Sequence, residues 1–163
     1  MRILAVAALL AFALPAAAQA QTQEKTTAPT KLFASAAEVD AALAKAKAAH
    51  KGAADNTVEV LVSVGPYPVQ LEYRTGTTPP SIHKGQAELI YVVDGACTLL
   101  EGGTLQGASG SPPTLHGTNI KGASPHRIAK GDYVLVPPDT PHWYTKVEGK
   151  FVSVTLHMPM KAQ

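Results

Sequence analysis

The sequence predicts a mainly β domain, a sandwich or barrel, preceded by a single α-helix. Two observations lead to this fold class. Short runs rich in Val, Ile, Leu and Tyr follow one another from residue 58 onward, separated by turns that contain Gly and Pro. An alanine-rich segment with helical periodicity comes before them. Many short strands without helices between them favour a sandwich or barrel over a parallel α/β sheet.

The first twenty residues have the pattern of a secretory signal peptide. Arg2 supplies a positive charge, residues 3–14 form an uncharged apolar run, and Ala18-Gln19-Ala20 is a small-x-small cleavage site. The apolar run is too short to span a bilayer comfortably, so we expect cleavage rather than a retained anchor. The sequence therefore predicts an exported protein, periplasmic or secreted, with no membrane partner once residues 1–20 are removed.

A flexible leader is expected at residues 21–34 and a helix at residues 35–52. Ser35 has the character of an N-cap, and Glu38 falls at the capping-box position three residues later. The apolar stripe of this helix is thin because alanine dominates it. We therefore expect the helix to lie over a sheet.

The rest of the chain, residues 53–163, is expected to form the β domain. Asp94-Gly95 is interpreted as the turn that closes one of its strands. Residues 106–125 are rich in Gly, Ser and Pro and predict a long surface loop with a small extra strand pair around Asn119-Ile120; the role of this loop stays open. The predicted strands are residues 58–64, 69–75, 89–93, 97–100, 133–136, 142–147 and 151–157.

Composition excludes several classes of partner and chemistry. The formal net charge is +2, and the basic residues are scattered, so no nucleic-acid partner is indicated. Cys97 is the only cysteine, which excludes an internal disulfide. We expect Cys97 to be a small buried strand residue and not a nucleophile.

The strongest chemical signal is a set of three side chains from two strand-turn segments. His83 and Glu88 lie on either side of a short loop, and His142 follows a Pro-rich turn further along the chain. Two imidazoles and a carboxylate suit a divalent metal ion such as zinc, copper, manganese, iron or nickel. We therefore expect these three side chains to converge on one metal ion.

These two segments resemble the two sequence motifs of the cupin superfamily. The first, H-x-H-x(3,4)-E-x(6)-G, is met by His83, Glu88 and Gly95, with Ser81 in place of its first histidine. The second, G-x(5)-P-x-G-x(2)-H-x(3)-N, is met by Gly131, Pro137 and His142, with Asp139 and Lys146 in place of its second glycine and its asparagine. The resemblance implies a jelly-roll β-barrel, a metal site short of one histidine, and a possible homodimer.

Further candidates surround this set. His126 could replace the missing ligand, and Ser81 and Tyr73 are candidate ligands or substrate contacts. Strand alternation places Glu72 and Arg74 on one face, which we expect to be solvated. The other three histidines are given structural roles: His50 ends the helix, His116 lies in the loop and His157 ends the last strand.

Two function classes remain open on this evidence. One is a metal-dependent enzyme acting on a small organic molecule, with the ion as Lewis acid or oxygen activator. The other is a non-catalytic module that binds a sugar or an aromatic acid, with or without metal. The fold cannot decide between them, because the cupin barrel is found with many chemistries.

Overall fold

The computed structural model describes residues 30–160, so the predicted signal peptide and residues 21–29 of the predicted leader lie outside the described residues. Helix α1 spans Ala36–Ala49, and Ser35 is its N-cap with the complete capping box to Glu38, as predicted. The helix ends before residue 52, because the backbone of His50 is already extended. Within residues 30–160, no helix is long and apolar enough to cross a bilayer.

The described residues otherwise form short antiparallel strands, which confirms the mainly β prediction. The main sheet has the order β1-β2-β12-β4-β11-β3-β7-β6, with β9 and β10 also paired to β4, and it curls into a half-barrel. Strands β5 and β8 pair separately and form the small extra ribbon expected near Asn119. The strands are β1 Thr57–Val64, β2 Tyr67–Arg74, β3 Ser81–His83, β4 Gln86–Glu101, β5 Thr104–Gln106, β6 Ser109–Ser111, β7 Thr114–His116, β8 Asn119–Lys121, β9 Ser124–Ala129, β10 Tyr133–Val136, β11 His142–Thr145 and β12 Phe151–Pro159.

Strand β4 is the centre of the architecture, and it corrects one prediction. The predicted turn at Asp94-Gly95 does not exist, because β4 runs through both residues without reversing. Its first half pairs with β12 and β10, and its second half pairs with β9 and β11. Gly95 has φ +80°, and a Cβ there would lie 1.9 Å from the carbonyl oxygen of Lys150. The glycine therefore permits the close approach of the start of β12, its antiparallel partner, near an irregularity of the ladder, and does not mark a chain reversal.

Two apolar clusters lie on opposite faces of the sheet. The outer cluster contains Leu71 and Val152, and helix α1 covers it through Ala46. The inner cluster includes Ile90, Phe151 and the fully buried Cys97, so the expectation for this cysteine is confirmed. Burial raises the pKa of the Cys97 thiol to about 12, which leaves it protonated and unreactive at neutral pH.

Candidate metal centre

The inner face of the half-barrel carries a histidine and a carboxylate on neighbouring strands. His157 of β12 lies directly opposite Glu88 of β4 in the antiparallel ladder, so both side chains project from the same face. Glu88 is only 2% exposed. The Nε2 atom of His157 is 3.7 Å from Oε2 of Glu88.

Two further histidines approach the same carboxylate oxygen. Nε2 of His142, from β11, is 3.0 Å from Oε2 of Glu88, and Nε2 of His83, from β3, is 3.3 Å from it. The His83 ring centroid lies 5.1 Å from that of His142 and 4.1 Å from that of His157. Four strands thus bring three imidazoles around one carboxylate oxygen.

The other ring nitrogens of two histidines are held by oxygen atoms of the surrounding chain. Nδ1 of His83 is 2.9 Å from the hydroxyl oxygen of Thr114, and Nδ1 of His142 is 3.3 Å from the carbonyl oxygen of Thr140. Because a carbonyl can only accept, His142 donates from Nδ1 and directs Nε2 toward Glu88. Such contacts orient histidines that bind metals.

The donor set fits a divalent cation. Oε2 of Glu88 and Nε2 of His157 are both buried, yet neither atom makes a well-directed hydrogen bond among residues 30–160, although three imidazoles lie close to Oε2. Buried polar atoms that lack such a bond are rare, and a bound metal ion is one way to satisfy them. Ligand atoms of His83, Glu88 and His157 all lie within 4.8 Å of one another, a spacing that could hold a metal ion. Imidazole and carboxylate together suit zinc, iron, manganese, nickel or copper.

Electrostatics favours the ionised carboxylate. Burial by itself would raise the pKa of Glu88, but the adjacent His142, His157 and His83 lower it well below the usual range. Burial lowers the pKa of His83, whereas for His142 the attraction of Glu88 outweighs burial and raises the pKa. Glu88 is therefore ionised and His83 neutral at neutral pH, the forms in which these residues bind metals.

Glu72 and Arg74 lie in the wall beside this cluster, so the prediction that they are solvated is wrong. The two residues do share a face, but it is the inner one: Glu72 is 5% and Arg74 4% exposed, and they form a salt bridge. The opposite face of β2 packs beneath helix α1 through Leu71. Tyr144 connects this wall to the cluster, because its ring lies 4.1 Å from the Arg74 guanidinium and its hydroxyl lies 3.4 Å from Oε1 of Glu88.

These groups border a cavity of about 200 Å³ inside the half-barrel. A second cavity of about 270 Å³ shares Arg74, Ser81 and Tyr144 with the first and reaches the exposed Ala54. Together the two cavities connect the cluster to the surface. The first is lined by Asn56, Val58, Gln70, Glu72, Arg74, Ser81, His83, Glu88, Thr114, His116, His142, Tyr144 and His157.

The structure brings His83, Glu88 and His142 together and places Ser81 in the cavity wall. It does not bring His126 there: this side chain is 56% exposed on β9, and its nearest carboxylate is Glu101 at 4.0 Å. Tyr73 lies on the helix-covered face, where its ring packs edge-on against His50.

His157 is the residue that sequence reasoning missed. Its signal is the alternation along β12, where Ser153, Thr155 and His157 alternate with the apolar Val154 and Leu156. In the sequence, only the apolar side of β12 indicates packing against other structure. The polar side with His157 therefore gave no sign that it faces a cavity. Glu72 and Arg74 show the same alternation on β2, and they line the cavity together with His157.

Both motif-like segments fall on the strands that build this cluster. Several solved structures have a similar fold. A candidate sugar phosphate isomerase of Acidithiobacillus ferrooxidans matches with a TM-score of 0.54 at 18% identity, over 77% of this chain and 74% of that chain. A protein of Thermus thermophilus matches with a TM-score of 0.51 at 11% identity, over 73% and 95% of the two chains. The chain has the cupin fold.

An RmlC-like cupin family protein of Methanocaldococcus jannaschii also matches, with a TM-score of 0.44 at 14% identity over 68% of this chain and 85% of that one. No protein-family model and no curated protein matches the sequence. The likeness of this chain to solved structures is therefore one of fold, at identities of 11% and 18% for the two matches with TM-scores above 0.5.

Two departures from the cupin motifs coincide with unusual backbone. Asp139, at the position of a motif glycine, has φ +58°, and Lys146, at the position of the motif asparagine, has φ +47°. Glycine and asparagine are the residues that adopt this left-handed conformation most readily. Both positions of this chain thus adopt a left-handed backbone with residues that are less suited to it than the glycine and asparagine of the motif.

Proposed function

We propose that this cupin binds one divalent transition-metal ion through His83, Glu88, His142 and His157 and holds a small organic molecule beside it. The observation that carries the proposal is the approach of three imidazole Nε2 atoms, at 3.0, 3.3 and 3.7 Å, to one buried carboxylate oxygen that forms no well-directed hydrogen bond within the described chain. A cluster of this kind is costly to bury unless an ion compensates it.

The protein's own residues prepare the site for such a ligand. Thr114 and Thr140 hold two of the imidazoles, and the half-barrel keeps Glu88 away from water. Burial raises the pKa of Tyr144 well above its usual value, so its phenol stays protonated and can donate a hydrogen bond. The ion, when bound, would polarise a ligand oxygen as a Lewis acid.

The cavity indicates the size of the molecule that is bound. A volume of about 200 Å³ beside the cluster, with an approach from the surface, suits a small organic compound and not a polymer. One similar structure is described as a candidate sugar phosphate isomerase, which supports a small hydroxylated compound as the ligand class.

Metal uptake tests the proposal. The protein is stripped with a chelator and then titrated separately with zinc and manganese, and the bound metal is counted by mass spectrometry. We expect one ion per chain in the wild type and much less in His142→Ala. His126→Ala is the matched control, because this histidine is exposed and lies outside the cluster. Equal metal retention in both variants, or no uptake by the wild type, would reject the proposed site.

We also propose export, on the signal-like pattern of residues 1–20. The ion would then be acquired outside the cytoplasm, where the intrinsic affinity order favours copper and zinc over manganese and iron. Intact-mass measurement of the protein from the extracytoplasmic fraction is the test. A mass that begins at Gln21 supports export, and a mass that retains residues 1–20 contradicts it.

A further inference from the structure

Arg74 is buried in the cavity wall with unused hydrogen-bonding capacity. Its Nη2 donates to Glu72, whereas Nε and Nη1 have no acceptor in the described part of the chain. An arginine remains protonated in proteins, so these are charged donors that have lost their water. Buried donors of this kind are normally satisfied by a partner.

The position of Arg74 is fixed by its neighbours. The Glu72 carboxylate that binds it is itself held by the hydroxyl of Thr155 at 2.9 Å and by the side-chain amide of Asn56 at 3.2 Å. The ring of Tyr144 lies against the guanidinium face at 4.1 Å. Arg74 is therefore held in place before any ligand arrives, which lowers the entropic cost of binding one.

Arg74 also lies beside the candidate metal centre. It lines both the cavity that contains the cluster and the cavity that leads to the surface. Tyr144 connects the two, with its ring on Arg74 and its hydroxyl at Glu88. One small molecule could therefore contact Arg74 and the metal centre together.

The net charge of the cavity favours an anionic ligand once a divalent metal ion is bound at the cluster. Glu72 and Arg74 cancel each other, and a divalent ion exceeds the charge of Glu88 by one positive unit. A singly charged ligand would neutralise the remainder, and an electrostatic preference is strong in a site with little water.

We propose that Arg74 binds an oxyanion group, a carboxylate or a phosphate, of the molecule whose other oxygen atoms lie at the cluster of His83, Glu88, His142 and His157. The inference deepens the proposed function and rests on it for the position of those other oxygens. Guanidinium groups pair with both anions through charge-assisted hydrogen bonds. The ligand class is thus a small oxygen-bearing acid, and not a neutral sugar or diol.

Calorimetric titration with three probes tests this subsite: lactate, its neutral analogue lactamide, and inorganic phosphate. Zinc-loaded wild-type protein should bind lactate at least roughly tenfold more tightly than lactamide, as a charge-assisted hydrogen bond predicts. Arg74→Gln should abolish this preference while its zinc content stays at the wild-type level. Arg74-dependent binding of phosphate without binding of lactate would support the subsite and assign the anion as phosphate.

A second variant keeps the test decisive if Arg74→Gln does not fold. Glu72→Gln removes the internal competitor for Arg74, so lactate or phosphate should bind several-fold more tightly than to the wild type. Equal affinity for lactate and lactamide with no phosphate binding, or an unchanged anion affinity in Glu72→Gln, would overturn the inference.

Failure of the two proposals can be told apart. If the wild type takes up no zinc, the proposed function fails, and anion binding is then measured on metal-free protein, where dependence on Arg74 still supports the subsite. If zinc binds but the three probes show no preference for charge, the subsite fails and the metal centre stands.

Discussion

His157 and Glu88 are cross-strand partners on β12 and β4, and the imidazole Nε2 lies 3.7 Å from the carboxylate Oε2. The first cupin motif lacks a histidine here, because Ser81 occupies its position. The last strand thus offers a third imidazole to a site that the motifs alone would leave with two.

We predict that His157→Ala lowers zinc affinity by well over tenfold, since even the outer-shell partners of metal ligands contribute roughly 10–100-fold. Adding Ser81→His to that variant should restore part of the affinity, because Ser81 also borders the cavity. Competition with a chromophoric chelator measures both effects. An affinity in His157→Ala equal to that of His126→Ala would show that His157 is not a ligand.

Thr114 is predicted to act on the metal through His83. Its hydroxyl oxygen is 2.9 Å from Nδ1 of His83, and it lies in the loop region whose role the sequence left open. Thr114→Val removes this contact at similar volume and should lower zinc affinity roughly 10–100-fold, whereas Thr114→Ser should retain it. Equal affinities in the two variants would show that the contact has no part in orienting the imidazole.

Lys146 should be a site where glycine stabilises the fold. Its φ of +47° is in the left-handed region, which costs a side-chain-bearing residue about 1–2 kcal/mol. Glycine also costs stability, because it makes the unfolded chain more flexible. When this entropic cost is subtracted from the relieved strain, we expect Lys146→Gly to raise the free energy of unfolding by roughly 0.5–1 kcal/mol. Urea denaturation measures the change.

Lys121 provides the control for that substitution, because it is exposed on β8 and is not among the residues with positive φ. Lys121→Gly should lower the free energy of unfolding by roughly 0.5–1 kcal/mol. A loss of the same size in Lys146→Gly would contradict the account of its backbone.

Glu38 should make stability depend on pH in the acid range. The backbone N–H of Ser35, followed by Lys31 and the Ser35 hydroxyl, lowers the pKa of Glu38 to about 2 from 4.5. Because the folded-state pKa is depressed, the contribution is complete above pH 4.5 and is lost as the pH falls toward 2.

The isosteric variant Glu38→Gln should therefore be less stable than the wild type at pH 6, with the difference shrinking between pH 4.5 and 2. Thermal denaturation at a series of pH values measures it, and a carboxyl NMR titration reports the pKa directly. A difference that does not change with pH would argue against an ionised capping carboxylate.

Structural features that depend only on residues close together in the chain could be predicted from the sequence. The capping box of Ser35 and Glu38 needs only a three-residue spacing, and the segments that carry His83, Glu88 and His142 are strands bounded by turns, so both are visible locally. Alternation on β2 likewise separated Leu71 and Tyr73 from Glu72 and Arg74, because side chains of a strand always point alternately to its two faces.

Only the tertiary structure decided which face was which and which distant residues meet. Helix α1 covers the Leu71 face, so the polar face with Glu72 and Arg74 becomes the cavity wall and is not solvated. At Gly95 the expected turn is absent because β4 continues and pairs with the start of β12, and the carbonyl of Lys150 lies where a Cβ would be. His157 reaches Glu88 only through the β4–β12 register, which arises from packing between segments far apart in the chain and not from local spacing.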